Sequence, residues 1–315
     1  ALRRLAAFIR ERGIRILHPH GPSLFLARAA ALFAPHAALV WHAHAGRMAA
    51  EDRRALPYRL ALRGAGGVIA VNEPLLEWAR RRLAVPRARS WYLPNMAAPA
   101  SGAAPARGLP GISGRRVLAV GNLRPEKDHA TLLRAFAMAA RRVPDAHLLI
   151  AGAPGDPAYE QLLHATVDDL ALRGKVTFLG RRADASALMP ACDIGVLSSR
   201  FEGLPMALLE YGMAGLPVAA TSAGQCGEVL DGGRAGILAA PGDAAALGEA
   251  LVALLRSPEL RGSLGDRLRR RVEALYSAGA VIGRLCTIYD AVLAGRGRPA
   301  RYSPPAGATV GDRVP

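Results

Sequence analysis

The sequence predicts an α/β protein built from two Rossmann-like, doubly wound domains. Three observations predict it. Short apolar runs alternate with segments of helical period along most of the chain. The runs are apolar on both faces, as strands of a parallel sheet covered by helices on each side must be. A stretch rich in proline, glycine and serine, Ala97 to Gly114, separates two such series and reads as a domain boundary.

The second series is the more regular. Val117–Val120 is a short apolar run closed by Gly121, followed by a helical pattern over Ala130–Arg142 with Leu132, Leu133, Phe136 and Ala140 on one face. His147–Gly152 and Val176–Gly180 read as strands flanking a helix over Tyr159–Leu172. Ala185–Pro190 reads as a short helix, Ile194–Ser198 as a fourth strand, Met206–Ala214 as a helix and Pro217–Ala220 as a fifth strand. The first series has the same rhythm, with strands expected at Ile14–Leu17, Ala38–Trp41 and Gly67–Val71. The expected domains are therefore residues 1–113, including the linker, and 114–279. A final helix over 280–294 is expected to return to the first domain, and a Gly/Pro/Arg-rich tail over 295–315 to be disordered. The chain opens inside an arginine-bearing helix rather than on a strand and glycine-rich turn. About two further strand–helix units, roughly 30 residues each, are expected ahead of it.

Composition narrows the classes. Of the 315 residues 51% are hydrophobic, which excludes a disordered or fibrous chain. The longest apolar stretch, Leu24 to Trp41, is broken by Arg28 and Pro35-His36, so no membrane-spanning helix is expected. Three unpatterned cysteines, Cys192, Cys226 and Cys286, fit reduced thiols in a cytosol. The formal charge is +16, and it is uneven: residues 1–113 hold 17 arginines against five acidic residues. Such a half suits an anionic membrane surface or a phosphate-bearing substrate. Nucleic acid is disfavoured because no helix-turn-helix, zinc or aromatic-basic motif accompanies the charge.

Ligands of open parallel sheets bind beyond the carboxyl ends of the strands, so the residues after each strand carry the chemistry. Gly121-Asn122-Leu123-Arg124-Pro125-Glu126-Lys127 follows the first strand of the second series. Its glycine lets the backbone approach a ligand, and Arg124 and Lys127 offer two cations suited to a diphosphate. Ser198 to Glu210 follows the fourth strand. Pro205 suits the first helical position, which leaves Glu202 and Gly203 on the loop at the helix mouth and Glu210 more than one turn inside. Either carboxylate can accept hydrogen bonds from sugar hydroxyls, and Leu208, Leu209 and Met213 make that helix apolar enough that Glu210 needs a partner. Thr221 to Glu228, small and turn-prone, would line the same crevice.

Together with Val176–Gly180, Cys192-Asp193, Gly236-Ile237-Leu238 and Pro241-Gly242-Asp243, these segments resemble the retaining glycosyltransferases of family four, with Glu202 and Glu210 in its E-x7-E spacing. His18-Pro19-His20-Gly21, Val71-Asn72-Glu73 and Leu93-Pro94-Asn95 are similar to weaker landmarks of that family's acceptor domain. The resemblance implies a GT-B fold and a nucleoside diphosphate sugar as donor. The acceptor would be a glycan or lipid-linked molecule, with no metal or other cofactor. Arg124 and Lys127 would stabilise the leaving diphosphate, Glu202 would hold the donor sugar and Glu210 the ribose. Gly121, Asn122, Gly180, Gly203, Leu204 and Met206 would line the donor, and Arg181 or Arg182 would border the base. Asn122 stands where the family commonly has arginine, a role Arg124 can take. His44 is the best match to the histidine that approaches the donor sugar, with His42 second. A metal held by His42 and His44 lacks a third ligand at zinc-like spacing, and His18 and His20 read as polar residues at a strand end.

The expected protein is thus a cytoplasmic, peripherally membrane-bound transferase of polysaccharide or glycolipid synthesis, with Arg53-Arg54 and Arg80-Arg81-Arg82 as candidate lipid contacts. A donor-binding chain without catalysis, and a nucleotide-sugar epimerase of the same architecture, are the alternatives.

Overall fold

The computed structural model describes residues 2–44, 55–97, 105–182 and 184–295. Arg53, Arg54 and the expected tail over 296–315 lie outside the described residues. The chain divides into two units, one formed by Ala1–Asn95 with Gly279–Pro315, the other by Met96–Ala278.

The first unit holds α1 (Leu2–Glu11), β1 (Ile16–Leu17), α2 (Leu24–Leu32), β2 (Ala38–Ala43), α3 (Ala55–Ala61), β3 (Gly67–Ala70), α4 (Glu73–Arg82) and β4 (Ser90–Tyr92). Its four strands form one parallel sheet in the order β1-β2-β3-β4. Alternation along β2 divides the core. Leu39, Trp41 and Ala43 pack on one side with Leu75 and Trp78 of α4. Ala38 and Val40 face the other side, where Val281, Ile288 and Val292 of α12 (Ala278–Ala294) cover them. Two features differ from the sequence expectation. β1 is only two residues long, and the sequence reading did not include β4, a three-residue strand with two half-buried positions and no apolar run.

The second unit holds β5 (Arg116–Val120), α5 (His129–Arg142), β6 (His147–Ala151), α6 (Pro157–Asp169), β7 (Val176–Gly180), α7 (Ala185–Leu188) and β8 (Ile194–Leu197). It continues through α8 (Met206–Met213), β9 (Val218–Thr221), α9 (Cys226–Val229), β10 (Ile237–Ala239), α10 (Ala244–Arg256) and α11 (Pro258–Tyr276). All six strands are parallel, in the order β10-β9-β8-β5-β6-β7. Strand order reverses between β5 and β8, so this sheet is doubly wound and its switch point lies there. Helices α5, α6 and α10 bury one face around Leu132, Phe136, Leu163 and Leu251. Helices α8 and α11 bury the other around Leu208, Tyr211, Leu268 and Val272.

The division falls at Asn95/Met96 rather than 113/114, and described residues on both sides of 98–104 are bonded within the second unit. Ala97 N–H donates to the Tyr276 carbonyl at 2.8 Å, and the Arg116 guanidinium donates to the carbonyls of Leu109, Pro110 and Gly111. No helix among the described residues is long and apolar enough to cross a membrane.

Candidate active site

At the switch point between β5 and β8 the loops bring Lys127, Asp128, Arg200 and Glu202 together. Beyond β5 the chain makes a single 3-10 turn over Pro125–Lys127, then enters the left-handed region at Asp128 (φ +47°) and starts α5. Asp128 caps that helix, accepting from Thr131 N–H at 3.2 Å and from the Thr131 hydroxyl at 2.8 Å. Arg200, on the loop after β8, donates to Asp128 at 2.7 Å and sends its N–H to the Glu126 carbonyl at 2.8 Å. Ser198 Oγ donates to the Lys127 carbonyl at 2.8 Å. These bonds clamp the two loops together. Burial alone would push the Asp128 carboxyl up, but the hydrogen bonds from Arg200 and Thr131 outweigh it and hold the group below the ordinary carboxylate range.

The clamp brings Lys127 against Glu202. Lys127 Nζ lies 2.5 Å from Glu202 Oε1, and Ser199 Oγ donates to the same oxygen at 2.6 Å. The Glu202 side chain is 8% exposed and that of Lys127 27%, so this pair is largely withdrawn from water. Lys127 is therefore not a free surface cation. The loop behind Glu202 is set by β9: Thr221 Oγ1 donates to the Ser199 carbonyl at 2.6 Å, and Gln225 N–H to the Gly203 carbonyl at 3.0 Å. Gly224 (φ +54°) permits this approach, since a Cβ there would stand 2.1 Å from the Glu202 carbonyl oxygen. The sequence places Thr221 only in a segment lining the crevice and gives Ser199, Arg200 and Asp128 no role; a hydroxyl three residues ahead of the loop carboxylate is the one local signal for Ser199.

Other candidate residues separate into groups. Arg124 is 60% exposed and approaches Glu126 at 4.0 Å rather than joining the Lys127–Glu202 contact. The Asn122 side chain accepts from Ala153 N–H at 3.1 Å, tying the loop after β5 to that after β6. Gly121 lies beside the Lys127 stem, with room for a Cβ at ordinary contact distance, and Gly180 (φ +63°) turns the chain after β7 while accepting from Gly152 N–H at 2.9 Å. Arg181 is exposed, whereas Arg182 is engaged by Asp184 in a two-pronged pair at 2.7 and 2.6 Å. Gly203 is exposed, Met206 is the first residue of α8, and Leu204 is buried in the core. Pro205 stands one position earlier than the sequence suggested, as the N-cap of α8.

Glu210 lies within α8, half-buried, and its carboxylate has no hydrogen bond or ion pair among the described residues. Burial pushes its pKa up. The helix is fixed by its neighbour Tyr211, whose hydroxyl donates to the Leu118 carbonyl at 3.0 Å and accepts from Val120 N–H at 2.8 Å. Gly195 makes room for that ring, which a Cβ would meet at 2.6 Å.

In the first unit Asn72 is a helix cap, accepting from Leu75 N–H at 2.8 Å. Of the candidate lipid contacts, Arg80 is tied to Ser90 at 2.9 Å, whereas Arg81, 78% exposed, makes a surface pair with Glu77 at 2.5 Å. A cavity of about 420 Å³ lined by Leu56, Arg59, Leu60, Arg63, Leu83 and Arg89 opens beside the start of β3, the amino end of that parallel sheet. The histidines depart most from expectation. His42 and His44 do not stand as a pair without a third ligand. His18, His20 and His42 carry ligand nitrogens within 4.8 Å of one another, and His44 is bonded to His20.

Residues 114–257 match the family described as Glycosyl transferases group 1. The second unit carries a group 1 glycosyltransferase domain. Over 174 residues the chain is 30% identical to N-acetyl-alpha-D-glucosaminyl L-malate synthase of Bacillus anthracis, covering 55% of this chain and 45% of that protein. Phosphatidyl-myo-inositol mannosyltransferase of Mycobacterium leprae is 30% identical over 183 residues, 57% of this chain and 47% of its own. The chain spans about half the length of the curated relatives it matches. Among solved structures, Anabaena HepE in complex with UDP is alike with TM-score 0.77 and 20% identity over 91% of this chain and 81% of that one. Sucrose-phosphate synthase of Thermosynechococcus elongatus follows at 0.71 and 23%, over 93% and 77%. At these identities the likeness shows the fold, which is GT-B.

Proposed function

We propose that this glycosyltransferase chain moves a sugar, with retention at the anomeric carbon, from a nucleoside diphosphate sugar to a glycan or lipid-linked acceptor. The observation that carries it is the Lys127–Glu202 pair at the β5/β8 switch point. As the bond between the anomeric carbon and the diphosphate oxygen breaks, negative charge grows on the leaving group. Lys127, already oriented by Glu202, and Arg124 stabilise that charge, a contribution of about 3 kcal/mol for one well-placed donor. Glu202 keeps a second carboxylate oxygen for the donor sugar's hydroxyls, and Glu210, lacking a protein partner, accepts from the ribose. Arg181 rather than Arg182 borders the base, because Arg182 is occupied by Asp184. Work on a lipid-linked acceptor at the inner face of a membrane fits the basic first half, with the exposed Arg81 better placed to serve it than Arg80, which is tied to Ser90.

The crystal of HepE with UDP makes a uridine nucleotide the first donor to try. Thermal shift with UDP, UDP-glucose and other nucleoside diphosphate sugars should raise the melting temperature for at least one of them. Transfer to a lipid-linked acceptor should then follow with that donor and fail in Glu202→Gln. No stabilisation by any donor rejects the site assignment. Stabilisation without turnover favours a donor-binding chain, a reading kept open by the partial coverage of its relatives.

A further inference from the structure

Four of the eight histidines in the chain gather at one place in the first unit. His18 and His20 follow β1, His42 lies on β2 and His44 just past its end. Parallel pairing of β1 with β2, continued by a bridge between His20 and His42, sets them side by side. Ring centroids are 4.6 Å apart for His18 and His20, 5.1 Å for His18 and His42, and 5.0 Å for His20 and His42.

Stacking accounts for the ring positions but not for the nitrogens. His42 is 7% exposed, and neither of its ring nitrogens has a hydrogen-bond partner; the Leu93 backbone is near but outside hydrogen-bond geometry. Nε2 of His18 is likewise buried and unpartnered. A buried ring nitrogen destabilises the fold if nothing satisfies it. The opposite nitrogens are engaged. His18 Nδ1 lies 2.5 Å from the Tyr289 hydroxyl, and His20 Nδ1 lies 2.6 Å from His44 Nε2. Histidines that ligate a metal through one nitrogen commonly bond an outer partner through the other, which fixes tautomer and ring orientation.

We propose that His18, His20 and His42 bind a zinc-class cation that ties the segment after β1 to the carboxyl end of β2. Nε2 of His18, Nε2 of His20 and one nitrogen of His42 are the ligands, and Tyr289 and His44 are the outer partners. Zn–N bonds of 2.0–2.1 Å at tetrahedral angles place ligand nitrogens roughly 3.3 Å apart. The present spread is at most 4.8 Å, so binding would draw the rings together and tilt them out of their stack. Three imidazoles without a carboxylate select zinc or a neighbouring transition ion over magnesium or calcium. His20 is exposed, which gives the ion a route in and leaves a fourth position for water.

The test uses the full chain, stripped with chelator and dialysed. Zinc titration by calorimetry and cobalt substitution followed by visible absorption should give one ion per chain, with tetrahedral-type d–d bands. His20→Ala and His18→Gln should each weaken zinc binding about 100-fold or more, and Tyr289→Phe about 10- to 100-fold. His36→Ala should change nothing. Circular dichroism confirms that each variant is folded, and His20, at the surface, is the variant least able to disturb the core. Absence of stoichiometric zinc or cobalt binding in the wild-type chain, or undiminished binding in folded His20→Ala and His18→Gln, overturns the proposal and leaves water as the partner of these nitrogens. Neither readout depends on sugar transfer.

Discussion

Lys127 Nζ and Glu202 Oε1 lie 2.5 Å apart across a sequence separation of 75 residues. The contact joins the loop after the first strand of the second sheet to the loop after its fourth. Those two strands are neighbours at the place where strand order reverses. The pair is held in place: Ser199 bonds the Glu202 carboxylate itself, and Thr221 and Gln225 bond the loop that carries it.

Lys127→Ala should lower donor turnover about 100-fold, the scale of one lost transition-state donor. It should also destabilise the domain by about 2 kcal/mol, since a mostly buried carboxylate loses its cation while keeping Ser199. Steady-state transfer and urea denaturation check the two effects. Unchanged turnover would remove Lys127 from the site.

Glu210→Gln should make the chain more stable and a poorer nucleotide binder. The folded pKa is raised by burial, so the folded state holds its proton more tightly than the unfolded one. Stability from this group is present at low pH and is lost as pH rises from the unfolded value, about 4.3, through the folded one. At neutral pH the Gln variant should therefore melt at a higher temperature than the wild type, by a degree or so at most after solvent screening, about what a few tenths of a kcal/mol would give. The UDP-induced shift should shrink as hydrogen bonds from ribose hydroxyls to a charged group are lost, with affinity falling about 10-fold or more.

Asp128→Ala should cost about 2 kcal/mol, because it removes a helix cap and the partner of Arg200 together. The native pKa is held below the unfolded value, so this stabilisation is complete above about pH 5 and disappears as pH falls through the folded pKa. Chemical denaturation of the wild type and the variant should accordingly differ at pH 7 and converge towards pH 3.

Gly224→Ala should displace the Glu202 loop, since the added methyl meets backbone at 2.1 Å in a left-handed conformation. A loss of about 2 kcal/mol with weakened donor binding is expected. Gly227→Ala, which meets nothing within 4 Å, serves as the comparison. Equal behaviour of the two variants would show that the loop's position is not set by this contact.

Much of the second sheet was legible because strands covered on both faces are continuous apolar runs, and the helices between them keep a 3.6-residue period. Val176–Gly180 is a strand at the expected bounds, and α8 begins at Met206 as read. The first sheet was harder. β4 is a three-residue strand, and β1 shortened to two. The candidate loops could be found from their glycines and charges, but their internal bonds could not. Arg182 looked free in sequence and is paired with Asp184 two residues away; Leu204 looked like a donor contact and is core.

The sequence by itself determined the alternation of strand and helix, the loops at the strand ends and the residue types available there, because periodicity and turn chemistry are local properties. Tertiary structure alone decided that Lys127 meets Glu202, that Glu210 is left without a partner, and that His18 and His20 stand against His42. Each depends on which strands pair and in what register. That choice is made by burial across the whole sheet, and no window of neighbouring residues contains it.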